Sequence, residues 1–209
     1  EVDFILANSS IYVELEKAYG ASAIATMINS RQGKPLNQFG GVILTNASNG
    51  AINNLADLKG KKFMAVKKNS FGGWQMAYRL LKNSGIDPFK DFSKMVFGGT
   101  HDNVVLAVKN GVMDAGTVRT DTYERMAAEG KIKMEDFKVI NPQKHSGFPF
   151  ACSTRLYPEW PMAKLKGTPD DLAKQVSTAL ISMKADSKAA KDAKVVGWKE
   201  AMDYVPVDG

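Results

Sequence analysis

The chain has 209 residues, 44% of them hydrophobic and 24% charged, with a formal net charge of +6 and one cysteine. That is ordinary globular composition, long enough to bury a core, and no run approaches the roughly 20 apolar residues of a membrane span. A lone cysteine excludes an internal disulfide, two histidines far apart in sequence give no metal-ligand spacing, and basic runs confined to turns argue against nucleic acid.

Glu1-Val2-Asp3 runs directly into an apolar strand over residues 2–7 with no signal-peptide pattern, so the chain reads as a mature protein or a piece of a longer one. A helix over residues 10–19 carries Ile11, Leu15 and Ala18 on one stripe, and residues 23–28 read as a short strand. Residues 39–45 form an apolar strand containing the pair Gly40-Gly41, which suits a strand only where something approaches its backbone closely. A short helical turn, Asn54 to Gly60, precedes a strand over 63–66 and a helix over 74–83. Strands over 94–97 and 115–118 each lead into a helix, over 102–109 and 121–129, and a strand over 138–140 leaves through Asn141-Pro142. Residues 148–153 read as a further extended segment. The tail is helical, with Thr168 expected as the N-cap and Pro169 at the first helical position.

Alternating strands and helices with short connections predict mixed or parallel sheets flanked by helices. Residues 62–139 look like one self-contained unit. The expected plan is therefore two lobes, a first from residues 1–58 plus 141–209 and a second from 59–140, with ligand in the crevice between them.

Four polar clusters stand where a strand stops and a helix starts: Asn8-Ser9-Ser10, Asn69-Ser70-Phe71-Gly72-Gly73, Gly99-Thr100-His101-Asp102 and Arg119-Thr120-Asp121. Each would present unpaired backbone N–H groups beside short polar side chains, an arrangement suited to an anion. In the second, Asn69, Ser70, Phe71 and Gly72 are candidate ligand residues, glycine letting a ligand reach the backbone; the competing reading is a plain capped helix. Arg119 should emerge at the crevice with Thr120 beside it and could hold an anion in two-pronged fashion, or could form a surface ion pair. No nucleophile elbow, metal set or phosphate loop is present, so catalysis by this segment is not expected, and no cofactor is expected.

The run Ala56-Asp57-Leu58-Lys59-Gly60-Lys61-Lys62 resembles the lobe-crossing signature of type 2 periplasmic solute-binding proteins. Residues 99–105, followed by Asn110-Gly111-Val112-Met113-Asp114-Ala115-Gly116, are similar to its phosphonate/phosphate-binding branch. Residues 39–43, 70–75 and 153–161 look most like periplasmic sensor domains of membrane histidine kinases, including the tetrathionate-sensing type.

The resemblance implies a two-lobe α/β binding fold and a periplasmic location. It implies a small anionic ligand and either a membrane-anchored kinase module or an ABC permease as partner. It implies that Thr100, His101 and Asp102 meet the ligand's acidic group, unless Thr100 merely caps its helix. Asn8, Ser9 and Tyr12 match an Asn-x-x-x-Tyr pattern of the relatives, though Tyr12 could instead pack on the sheet. Phe39 and Gly40 would be crevice walls, and Phe148 would touch ligand from the returning chain. Relatives also carry a strand, helix and strand before the segment matching residues 2–7, which would complete the first lobe here. A dimer in which a partner chain supplies them stays open.

Overall fold

A computed structural model describes residues 2–209, which divide into two compact units, residues 2–39 with 157–209 and residues 40–156. The first unit opens with β1 (Phe4–Leu6), α1 (Ser9–Tyr19), β2 (Ser22–Arg31), β3 (Lys34–Leu36) and β4 (Gln38–Phe39). Helix α1 ends in the left-handed Gly20 (φ 67°), whose N–H bonds back to Glu16 and Leu15, the glycine stop expected of a helix C-terminus.

The second unit begins at β5 (Gly41–Asn46) and continues through β6 (Lys62–Ala65), a π-helical turn over Phe71–Gln75, and α2 (Met76–Asn83). Then come α3 (Pro88–Asp91), β7 (Lys94–Phe97), α4 (His101–Lys109), β8 (Ala115–Arg119), α5 (Thr122–Ala128) and β9 (Phe137–Ile140). Its sheet runs β7-β6-β8-β5-β9, with β6 parallel to β7 and β8 and with β5 antiparallel to both β8 and β9. Side chains alternate across this sheet. Val42, Leu44 and Val118 join Val104 and Met126 on one face, while Ile43, Phe63 and Ala115 join Trp74 and Leu81 on the other.

The chain returns to the first unit with β10 (Tyr157–Pro158), β11 (Pro161–Lys164), α6 (Asp170–Ile181), α7 (Lys188–Ala193) and β12 (Val195–Lys199). The order β1-β11-β2-β12 is antiparallel throughout, β3 extends β2, and β4 pairs with β10. Tyr12, Val13, Ala21, Ala163 and Tyr204 form this unit's core.

Several expectations shift. The unit boundaries fall at 39/40 and 156/157, because β5 is an inner strand of the second sheet, bonded along both edges. Residues 148–153 form no strand. Ser153 instead donates its hydroxyl to the Ile140 carbonyl (2.6 Å), and its Oγ accepts from Ile43 N (2.8 Å), so a side chain ties this stretch to the sheet. The N-cap of α6 is Pro169, without a side-chain bond, because the Thr168 hydroxyl donates to the Asp3 carbonyl (2.7 Å). No helix among the described residues is long and apolar enough to cross a membrane.

Candidate functional site

In the second unit the parallel strands β6, β7 and β8 all finish at one edge of the sheet, and each leads into one of the polar junctions. Carboxyl ends of parallel strands are where open α/β sheets bind ligands. After β6, the Ser70 Oγ accepts from Gly73 N (3.1 Å) and caps the turn. The turn is wide: Gln75 N bonds to Ser70 O and Met76 N to Phe71 O, the five-residue spacing of a π-helix. Such turns recur at functional sites. Gly73 makes this one possible, since a Cβ there would lie 2.5 Å from Ser70 Oγ and 2.6 Å from a Val66 methyl. The Gly73 carbonyl accepts from Val66 N (3.1 Å), locking the turn to the end of β6. Asn69 is exposed, Ser70 is half-buried, and Phe71 and Gly72 are buried.

After β7, the Thr100 Oγ1 accepts from Asn103 N (3.1 Å) as the cap of α4. His101 Nδ1 accepts the backbone N–H of Arg119 at 3.1 Å, which joins the second junction to the third. A ring nitrogen that accepts carries no proton, so the neutral ring holds its proton on Nε2. The Asp102 carboxylate is engaged within the unit, pairing with Arg125 on α5 and with Lys131 (3.1 Å). The Arg125 bond holds that carboxyl below the usual carboxylate range, with Lys131 adding to the effect.

After β8, Thr120 and Gly40 exchange bonds. Thr120 N donates to Gly40 O (3.0 Å), and Gly40 N donates to Thr120 Oγ1 (3.1 Å). The next residue, Asp121, adopts φ 77°, uncommon for any residue but glycine. What approaches the glycine pair is the protein itself. A Cβ on Gly40 would lie 2.7 Å from Cys152 Sγ and 3.0 Å from Thr154 Oγ1, and one on Gly41 would lie 3.3 Å from the Gly72 carbonyl. Gly40 is thus a packing glycine, whereas Gly41 brings the π turn onto β5 directly opposite its ladder partner Arg119. Ser70, Gly72, His101, Arg119 and Thr120 are therefore linked at one sheet edge. Phe148 stands apart from them. It packs edge-on against Phe150 (5.9 Å) and lines a recess of about 430 Å³ with Pro142, His145 and Pro149, in which no junction residue takes part.

The first unit's junction is built differently. Asn8 Oδ1 accepts from Ile11 N (3.0 Å) and from the Ser10 hydroxyl (3.0 Å). Ser9 is fully buried and donates to the Pro158 carbonyl (2.7 Å). Tyr12, 3% exposed, gives its hydroxyl to Glu16 (3.1 Å), accepts from Ala23 N (3.0 Å) and stacks edge-on with Tyr204 at 5.0 Å. Burial pushes the Tyr12 phenol up to about 12. Phe39 is buried and pairs with Tyr157. Ser9 and Tyr12 serve the packing of α1, the alternative the sequence left open for Tyr12.

Sequence reasoning passed over Gln75 and Thr117, two polar side chains beside the second-unit junctions. Thr117 carries no local signal, reading as the middle of a small-residue strand. Gln75 stands one turn into a helix, where polar residues are ordinary.

The chain belongs to the family described as ABC transporter, phosphonate, periplasmic substrate-binding protein, which it matches over residues 1–205. It is 32% identical over 185 residues to the tetrathionate sensor histidine kinase TtrS of Salmonella typhimurium, an alignment covering 88% of this chain and 31% of that protein. The chain thus spans about a third of the length of that relative. Among solved structures it is similar to a Xanthomonas citri protein bound to ATP (TM-score 0.74, 16% identity, 97% of this chain and 72% of that one). It is also similar to a binding protein component of an ABC phosphonate transporter from Pseudomonas aeruginosa (TM-score 0.70, 19% identity, 99% and 66%). A third is PhnD1 from Prochlorococcus marinus in complex with methylphosphonate (TM-score 0.67, 17% identity, 99% and 76%). At these identities the structures establish the fold, the two-lobe α/β architecture of periplasmic binding proteins.

Proposed function

We propose that this chain is a non-catalytic, periplasmic sensor domain that binds a small oxyanion and reports its presence to a membrane histidine kinase. The observation that carries the binding reading is the gathering of three strand–helix junctions at one edge of the second sheet. There the π turn capped by Ser70, the His101 ring and Arg119 stand together, with the Arg119 backbone N–H bonded to His101 Nδ1. Such donors complement spread negative charge, and charge-assisted bonds are the stronger class. A difference in ligand affinity between the two signalling states, not tight binding alone, would drive the output.

The sensor role is supported by the likeness to TtrS along most of the chain. A second reading, the solute-binding component of an ABC importer for phosphonate-like anions, is supported by the family description and by the Pseudomonas and Prochlorococcus structures. A thermal-shift screen with methylphosphonate, phosphate, tetrathionate and sulfate tests the anion reading. Stabilisation by at least one is expected; stabilisation only by neutral or cationic solutes would sink it. Sequencing the gene beyond the codon for Gly209 separates the two roles, a membrane span and kinase supporting the sensor and a stop codon the importer.

A further inference from the structure

The buried side-chain oxygens next to the junctions that have no hydrogen-bond partner among the described residues include Thr117 Oγ1 and Gln75 Oε1. Thr117 is wholly buried in the middle of β8. Strand alternation puts it on the same face as Ala115 and Arg119. Ala115 packs with Trp74 and Ala77, so this is the face covered by the π turn and α2, whereas Val118 packs on the opposite face with Val42 and Val104. The π turn that bears Gln75 packs against β8. Thr117 is thus one pleat inward from Arg119, under the turn that carries Gln75.

Buried polar groups in folded proteins almost always find partners, and one without a partner calls for a reason. Valine has nearly the shape of threonine and would fill this strand position without burying a hydroxyl. The glutamine head group is also out of solvent contact at its oxygen while the rest of the side chain is only half-buried.

We propose that Thr117 and Gln75 are specificity-determining residues of the second-unit site, placed to hydrogen-bond a polar O–H or N–H group that the oxyanion brings with it, inward of the Arg119 contact. This rests on the anion reading above. Phosphonates and phosphate keep an O–H over part of the near-neutral range, whereas sulfate and tetrathionate do not. The pair would therefore favour the protonated phosphorus oxyanions.

The test measures melting without ligand, and affinity for methylphosphonate, phosphate and tetrathionate, in wild type, Thr117→Val, Gln75→Glu and Ser70→Ala. Thr117→Val is expected to melt no lower than wild type when ligand-free yet to bind methylphosphonate about tenfold more weakly, with a smaller loss for tetrathionate. Gln75→Glu, which sets a carboxylate against the anion, is expected to lose methylphosphonate binding. A ligand-free Thr117→Val that melts lower would show that the hydroxyl serves the fold through a buried water and overturn the proposal. So would unchanged affinities in both variants while Ser70→Ala weakens binding, with the site itself left standing. If Ser70→Ala also binds as wild type, or no anion binds wild type, the site reading fails and this inference falls with it.

Discussion

The same short pattern, a strand running into a small polar cluster and then a helix, has opposite outcomes in the two units. At Asn8-Ser9 in the first unit every polar side chain turns inward: Ser9 to Pro158, Asn8 to Ile11, and Tyr12 to Glu16 and Ala23. In the second unit His101 bonds the second junction to the third through Arg119 and Thr120 bonds the third to Gly40, while Thr117 Oγ1 and Gln75 Oε1 stay without partners among the described residues. A polar helix start becomes a packing device when a carbonyl lies within reach of its hydroxyl; where none does, it is the ligand platform proposed above. Spacing along the chain is the same in both cases.

The largest effect that would break this contrast is expected at Gly73. Gly73→Ala forces a Cβ onto Ser70 Oγ and Val66, which should destabilise the protein by about 1–3 kcal/mol and open the capped turn. Denaturant unfolding together with anion titration would check it; a variant of wild-type stability that still binds would remove the π turn from the site.

Next is a matched pair of serines. Ser9→Ala strands the Pro158 carbonyl and should lower stability by about 1–3 kcal/mol without changing affinity. Ser70→Ala removes a cap, at about 1 kcal/mol, and should weaken anion binding clearly. Equal affinity losses in the two variants, read by calorimetry, would erase the distinction between the units.

How much of this was legible follows from where each signal is stored. The alternation of elements, the glycine stops and the caps at Asn8, Ser70 and Thr100 are local, and they stand in the sequence. The place of β5 is not: it lies between β8 and β9, strands more than 60 residues away in sequence, and no local pattern marks that. The same limit explains Gly40. The glycine pair announced a close approach, but whether by ligand or by Cys152 depended on where residues 152–154 return. The ion pairs of Asp102 are hidden for the same reason, since Arg125 and Lys131 arrive from another helix and the turn after it.

A third prediction compares the units through their tyrosines. Burial pushes both Tyr12, in the first unit, and Tyr123, in the second, from 10.0 up to about 12. A folded value raised above the unfolded one favours the protonated native state, so the stabilisation is complete below pH 10 and is lost as pH climbs from 10 to about 12. Spectrophotometric titration should show these phenols ionising late, and alkaline unfolding should set in within that window. Early ionisation of Tyr12 alone would mean that the first junction is looser than its packing indicates.

The smallest effect is expected at Asp102. Its pairs with Arg125 and Lys131 are partly exposed, so Asp102→Asn should change stability by no more than about 0.5–1 kcal/mol, less at high salt, and leave anion affinity alone. A clear loss of affinity would place Asp102 in the site and redraw the second junction.

The second unit is one uninterrupted stretch of chain, and its two ends are tied together: Ser153 N donates to Gly41 O (2.9 Å), and Gly41 N donates to Thr154 Oγ1 (3.0 Å). The first unit has no such autonomy, because β11 stands between β1 and β2 and, among the described residues, supplies the ladder that joins them. During synthesis from the N-terminus the second unit can therefore close as soon as its own residues have emerged. Among the described residues β2 can meanwhile pair only with β3, and β1 finds its ladder partner in β11, made after the second unit.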